Sequence, residues 1–319
     1  MEKVWDNDLP EKFGPMTVKE LRQNLRRGSF VYPFIGIQLL AVLAVTAEFQ
    51  MQRVTEYTEY VGAMNVGLLV LSGPFWLAVS VICMIIMPLG GLILMGQELE
   101  EGNHELLLLT QLNRWKVVLG KFYTIWGLCV LTFVSLLPYV VVRYLLGSIE
   151  WWREACCSLT VLGCSAILAA GAIGASSFKG LGARFGIMIL FLASFVGACF
   201  VPLAVSANVG GSKGCGLWYH LNALAAVFCY TMLGLSLARS RLRLVVHAYE
   251  VKPSWMIVGL LVFTPFVVWM TTLFTGGYAG LVGLIGMAFV AIYADVTPKA
   301  PKWMAAPPPN VPPPPMPAA

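Results

Sequence analysis

The sequence predicts an all-α polytopic integral membrane protein with about eight transmembrane helices. Three observations carry that expectation. Of 319 residues, 58% are hydrophobic and only 12% are charged, with a mean hydropathy of +0.77, whereas a soluble domain carries about twice that charged fraction. The apolar residues gather into runs close to the ~20 residues that a helix needs to cross about 30 Å of hydrocarbon. The 21 Lys and Arg residues lie beside those runs, which is the topogenic use of positive charge. That placement, rather than nucleic-acid binding, accounts for the net charge of +5.

Taken in order, residues 1–16 are polar and mixed in charge, a leader without a cleavable signal peptide. From Thr17 the pattern changes. Thr17 followed by Glu20 is a capping box, and Val18, Leu21 and Leu25 recur on one face at helical spacing. Lys19, Arg22, Arg26 and Arg27 give that helix a basic surface suited to anionic headgroups. The N-terminal unit, residues 1–30, is therefore expected to end in an amphipathic interfacial helix. Leu21, Leu25, Arg22 and Arg26 mark its two faces.

The expected spans are 31–49, 66–95, 117–146, 155–175, 185–206, 217–238, 255–274 and 278–294. An even number returns the chain to its starting side. The second run is longer than one crossing needs, and Pro88 with Gly90 and Gly91 is expected to kink or end it, because proline removes a helix hydrogen bond. The last two runs form a tight hairpin around Gly276 and Gly277. Small-residue spacings such as Gly182/Gly186 and Gly276/Gly280 permit close helix packing, and Gly280, Gly283 and Gly286 read as packing too. Trp151, Trp152, Trp218, Tyr219 and Trp255 fall at span ends, as an aromatic belt requires.

Positive charge orients the chain. With the N-terminus cytoplasmic, only Arg53, Arg143, Arg153 and Lys213 fall outside, and the other seventeen of the 21 bases fall inside. Both termini are then cytoplasmic. Residues 297–319 end in AAPPPNVPPPPMPAA, a proline-rich stretch expected to be an extended, disordered tail.

One segment stands apart from the apolar pattern. Gly96 to Lys121 is a polar island in which Glu98, Glu100, Glu101 and Glu105 come first, then Leu106 to Leu109, then Thr110 and a basic exit at Arg114, Lys116 and Lys121. Acids favour the start of a helix and bases its end, because the macrodipole is positive at the N-terminus. A short amphipathic helix pair on the cytoplasmic side, entering the next span at Val117, is the expected structure.

The order of residues in this island resembles the cytoplasmic coupling segment of ABC transporter permeases of the type 2 export family, which commonly reads E-x-x-G-T-x-E-x-L-x-x-T-P-x-x-R followed by an aliphatic stretch ending in G-K. Glu98 or Glu101, Gly102, Glu105, Leu107, Thr110, Arg114, Gly120 and Lys121 match. Asn103 stands where the family usually has Thr, and Gln111 where it has Pro. The likeness covers roughly residues 17–250. It implies a six-span permease core over residues 31–250 and makes residues 251–296 two additional spans. It also implies a second permease subunit, identical or related, and two cytoplasmic ABC ATPase subunits that hold ATP and Mg. Glu98, Glu101, Gly102, Glu105, Thr110 and Arg114 would be the contacts that couple those ATPases to the spans. The segment 96–121 would act as a coupling helix moving as a rigid body.

The remaining chemistry is sparse. No G-x-x-x-x-G-K-[ST] loop occurs, since Gly120-Lys121 is followed by Phe122 and lacks the upstream glycine, so ATP hydrolysis is assigned to the partner. His104, His220 and His247 are far apart, and the eight cysteines form no C-x-x-C pair, so no metal, cofactor or disulfide framework is expected within the chain. Glu48 and Arg143 fall near outer span ends, and Asp295 and Arg184 near inner ones, leaving the midplanes without charge. An unpaired charge there costs at least ~2.5 kcal/mol, and ion-coupled carriers nevertheless keep one, so an energy source outside the chain fits better. A second reading of the same features is a non-transport membrane scaffold or assembly factor that recruits cytoplasmic partners through the island and the tail. An integral membrane enzyme ranks below both. The absence of any N-x-[ST] sequon fits a bacterial inner membrane, with membrane lipid as the solvent of the spans.

Overall fold

A computed structural model describes residues 21, 25–26, 28–51, 61–92, 114–147, 151–209, 215–242, 255–275 and 280–294. The described residues form helices and short connections, with no strand among them. The elements are α1 (Gly28–Met51), α2 (Val66–Leu71), α3 (Pro74–Leu89), α4 (Arg114–Gly147), α5 (Trp151–Ser176), α6 (Leu181–Val209), α7 (Leu217–Arg241), α8 (Met256–Phe274) and α9 (Gly280–Ala294). Six of them, α1 and α4 to α8, are long and apolar enough to cross a membrane. The molecule is an all-helical integral membrane protein.

Among the described residues, two of the eight expected crossings carry apolar helices of under 18 residues. The second is divided at Ser72 and Gly73, where Gly73 takes φ +108°, a conformation that glycine alone adopts without penalty. Pro74 follows at the first turn of α3, where its missing N–H is no loss. Within α3, residues Ser80–Ile86 widen into a π-helix. Pro88, expected to kink or end this span, is accommodated in the helical turn Met87–Leu89, with the chain turning at Gly90. The run is therefore interrupted at Gly73, which was not expected, while α3 ends at Leu89 beside Pro88 and Gly90 as expected. Helix α3 extends ~24 Å at 1.5 Å per residue. The eighth crossing, α9, has 15 residues, or ~22 Å.

The centre of the bundle is the pair α5 and α7. Of their most apolar stretches 72% and 67% are buried, against 28% for α1 and for α8. Small residues allow the two axes to approach. A methyl group built on Gly234 would lie 2.6 Å from the Ala170 carbonyl carbon, and one on Gly174 would lie 2.7 Å from the Gly234 carbonyl oxygen. Helices in lipid gain their association from such close contact rather than from burial of apolar area. The packing glycines expected from spacing differ: Gly182 and Gly186 face open space, as does Gly286, while Gly280 sits against Pro202, Thr272 and Asn222. Gly276 and Gly277 lie outside the described residues.

Helices α1, α3 and α4 pack on one side of the central pair, and α6, α8 and α9 on the other. In α9 the buried residues Gly280, Gly283, Leu284, Met287, Ala288 and Ala291 make one helical stripe, which packs on α7 and α8. Polar contacts tie neighbours across the apolar interior. Gln38 of α1 donates to Ser135 of α4 (2.6 Å), Tyr230 of α7 to the Ser194 carbonyl of α6 (2.7 Å), and Trp269 of α8 to the Gly197 carbonyl of α6 (2.7 Å). Such bonds contribute about 0.6 kcal/mol each in lipid, and they fix which faces meet.

Seven cysteines are buried and Cys215, which the sequence places in a loop, is half-buried. They behave as small hydrophobes. Four of the expected belt aromatics, Trp151, Trp152, Trp218 and Trp255, are exposed at helix ends. Tyr219 is not: it is buried, with its ring against Gly62 and edge-on to His220. The stretch before α2 covers it. There Val61, Gly62 and Met64 are buried, and the Met64 N–H donates to Thr160 Oγ1 at 2.9 Å. Non-helical backbone of this kind requires a protein environment rather than lipid.

Candidate functional site

The helices alternate in direction, so each end of the bundle collects residues distant in sequence. At one end the last turns of α1 and α4 meet the first turn of α5 and the α2–α3 break. The charges gathered there are Glu48, Arg143, Arg153 and Glu154, two acids and two bases.

Arg143 is the hub. Its Nε donates to Glu48 Oε2 (2.6 Å), its Nη1 to both Glu154 carboxylate oxygens (2.9 Å each), and its Nη2 to the Ser72 carbonyl (2.9 Å) and Glu48 Oε1 (3.3 Å). These contacts use all five guanidinium N–H groups. The guanidinium also lies over the Phe75 ring, 4.9 Å from its centroid. Glu154 takes a third donor from the buried Trp76, Nε1 to Oε2 at 3.0 Å. Glu48 takes the Phe75 backbone N–H at 3.1 Å. Arg153 completes the group, donating to Ser72 Oγ and to the Leu71 carbonyl, each at 3.1 Å.

Burial within the cluster is uneven. The Arg143 and Glu154 side chains are 3% and 5% exposed, and Glu48 is 18% exposed. A buried charge is tolerated only when its partners replace the water it loses. Here the donors and acceptors are matched and the total charge is zero. Gly73 is required by the same geometry, because a Cβ on it would run into the Glu48 carboxylate.

Sequence reasoning placed Glu48 and Arg143 near the same ends of their spans without pairing them, and it did not single out Glu154, Trp76 or Ser72. A signal for the pairing existed. Opposite charges stood at the same outer level of two spans assigned the same direction, and Arg153-Glu154 opened an apolar run. Of the four bases assigned to the outer side, Arg143 is thus ion-paired within the protein, and Arg153 is buried on neutral acceptors beside it.

The opposite end is basic and aromatic. Arg114 opens α4 and is half-buried, Lys116 is exposed, and Lys121 is wholly buried. The Arg239 guanidinium lies 4.7 Å from the centre of the Trp115 ring. Arg241 lies between Phe178 (4.1 Å) and Trp255 (4.9 Å), and Arg184 donates to the Phe178 carbonyl at 3.0 Å. These contacts bring the start of α4, the ends of α5 and α7 and the starts of α6 and α8 together.

Of the expected coupling contacts, Arg114 alone falls within the described residues. Glu98, Glu101, Gly102, Glu105 and Thr110 lie outside them. Of the interfacial-helix residues, Leu21 and Leu25 pack against the main apolar core and Arg26 is exposed, while Arg22 lies outside the described residues. Among the described residues no group of three or more His, Cys, Asp or Glu side chains is placed to hold a metal ion. The class that fold and site define is a helical membrane protein with an ion cluster buried at one end of the bundle. No family model, curated protein or solved structure matches the chain.

Proposed function

We propose that the chain is the membrane-spanning subunit of an ATP-driven exporter of the type 2 ABC kind, working with a second permease subunit and cytoplasmic ATPase subunits that bind ATP and Mg. The ordered segment Glu98, Glu101, Gly102, Glu105, Thr110 and Arg114 carries the reading. In this account residues 96–121 receive the movement of the ATPases on the cytoplasmic side of a bacterial inner membrane, and both termini lie on that side.

A feature of α4 supports it. Arg114 opens a helix of 34 residues that also contains Arg143, so an end placed beside the coupling segment is joined through one helix to the ion cluster. At 1.5 Å per residue the two arginines stand ~44 Å apart along the axis. A displacement at Arg114 reaches Arg143 through helix backbone rather than through a chain of loops.

The test is a double charge reversal, Glu105→Arg with Arg114→Glu, in the chain reconstituted with the ATPase that co-purifies with it. Transport-linked ATP hydrolysis is expected to fall to the level of the ATPase alone, with membrane insertion intact. Unchanged hydrolysis in correctly inserted protein would remove the coupling role.

A further inference from the structure

We propose that α1 is a lever, hinged at Pro33 and latched at the opposite end by Glu48, which opens the bundle at the Arg143 end while α5 and α7 stay fixed. The inference stands on the geometry of α1 and does not require the transport reading.

Helix α1 is peripheral. It packs on α3 and α4, and Tyr32, Ile35, Leu39 and Leu43 face away from the protein. Its polar ties to the rest of the described bundle are the neutral bond from Gln38 to Ser135 and the contacts of Glu48. Between them the contacts are apolar, and an apolar face loses little by exchanging protein for lipid.

The ion cluster is asymmetric in a way that favours release at Glu48. If Glu48 leaves, Arg143 keeps both bonds to Glu154 and its bond to the Ser72 carbonyl, and Glu154 keeps Trp76. What remains is the paired Arg143 and Glu154, with Arg153 still held by Ser72 Oγ and the Leu71 carbonyl. The freed donors, Arg143 Nε, one N–H of Arg143 Nη2 and the Phe75 N–H, face the most exposed member of the cluster, where water can replace the carboxylate. If the Arg143–Glu154 contact broke instead, two deeply buried charges would be stranded, which is strongly unfavourable. The opening therefore divides the cluster between α1 and everything else.

The hinge has its own cause. Pro33 lies inside α1, where it has no N–H to give to the carbonyl four residues earlier and its ring crowds that carbonyl, the usual origin of a helix kink. The adjacent Phe30 and Phe34 rings stack at 5.5 Å, and Phe30 is buried in the core, so the first turns of α1 are anchored. From Pro33 to Glu48 the lever arm is ~22 Å. A small change of angle at the proline thus carries the carboxylate clear of Arg143.

Hydrogen–deuterium exchange of the full chain in lipid nanodiscs tests this. In Glu48→Ala, exchange at residues 40–51 is expected to rise about tenfold, the consequence of losing a set of charged hydrogen bonds, while residues 151–157 keep their wild-type protection. An equal rise in both regions, or none in either, would overturn the lever. Pro33→Ala, which restores the missing helix bond far from the cluster, is expected to slow exchange across residues 28–36. It answers the same question should the Glu48 variant fail to insert, and unchanged exchange there would overturn the hinge.

Discussion

Arg143 is the single residue that holds the ion cluster together. Removing it strands Glu48 and Glu154 in a site built to neutralise them, so Arg143→Ala is expected to destabilise by about 3–5 kcal/mol, as breaking a buried pair does. Glu48→Ala removes the most exposed member and leaves the Arg143–Glu154 contact intact, with an expected loss of about 1–3 kcal/mol. Thermal denaturation in detergent should rank the two in that order, and equal losses would mean that Arg143 without Glu48 is stranded as badly as the two acids without Arg143. Gly73→Ala meets both an unfavourable φ and the Glu48 carboxylate. Its expected cost of about 1–3 kcal/mol should shrink when Glu48 is also alanine, because only the backbone term then remains. This part of the molecule was half legible. The levels of Glu48 and Arg143 follow from the spans, but their pairing joins residues 95 positions apart, which no local pattern encodes. Tyr219 shows the same limit, since a span-end aromatic looks like a belt residue until the chain that covers it is seen.

Among the elements, apolar runs located the long helices to within a few residues and missed that one run also divides at Gly73. Hydropathy sees Val66 to Met95 as continuous, because Ser72 and Gly73 hardly lower it, whereas the backbone reads Gly73 as a reversal of φ. Glycine spacing was a poor guide for a related reason. Gly182/Gly186 has the four-residue spacing of a packing motif but looks outward, and the contact that matters is a crossing of Gly171 and Gly174 on α5 with Gly234 on α7. Gly234→Leu is therefore expected to force the central pair apart and cost more than the ~1–3 kcal/mol of ordinary overpacking. Gly182→Leu should be close to neutral. Monodispersity and melting temperature of the two variants check this, and similar behaviour would refute the assignment of α5 and α7 as the centre.

At the scale of the whole molecule, composition alone set the class, because 58% hydrophobic residues with 12% charge leave no soluble solution. Among the described residues six helices are long and apolar enough to span, and α3 and α9 are described over Pro74–Leu89 and Gly280–Ala294. Arg114 and Arg143 at the two ends of α4 join the basic, aromatic end of the bundle to the ion cluster. The central functional claim is that an ATPase meets this chain at the Arg114 end. The most direct test is a mild-detergent affinity purification from the native membrane, with co-purifying proteins identified by mass and assayed for ATP hydrolysis. A stoichiometric ATPase, lost when Glu105 and Arg114 are reversed, is the predicted result. A chain that purifies with no ATPase would contradict the account and favour the membrane scaffold.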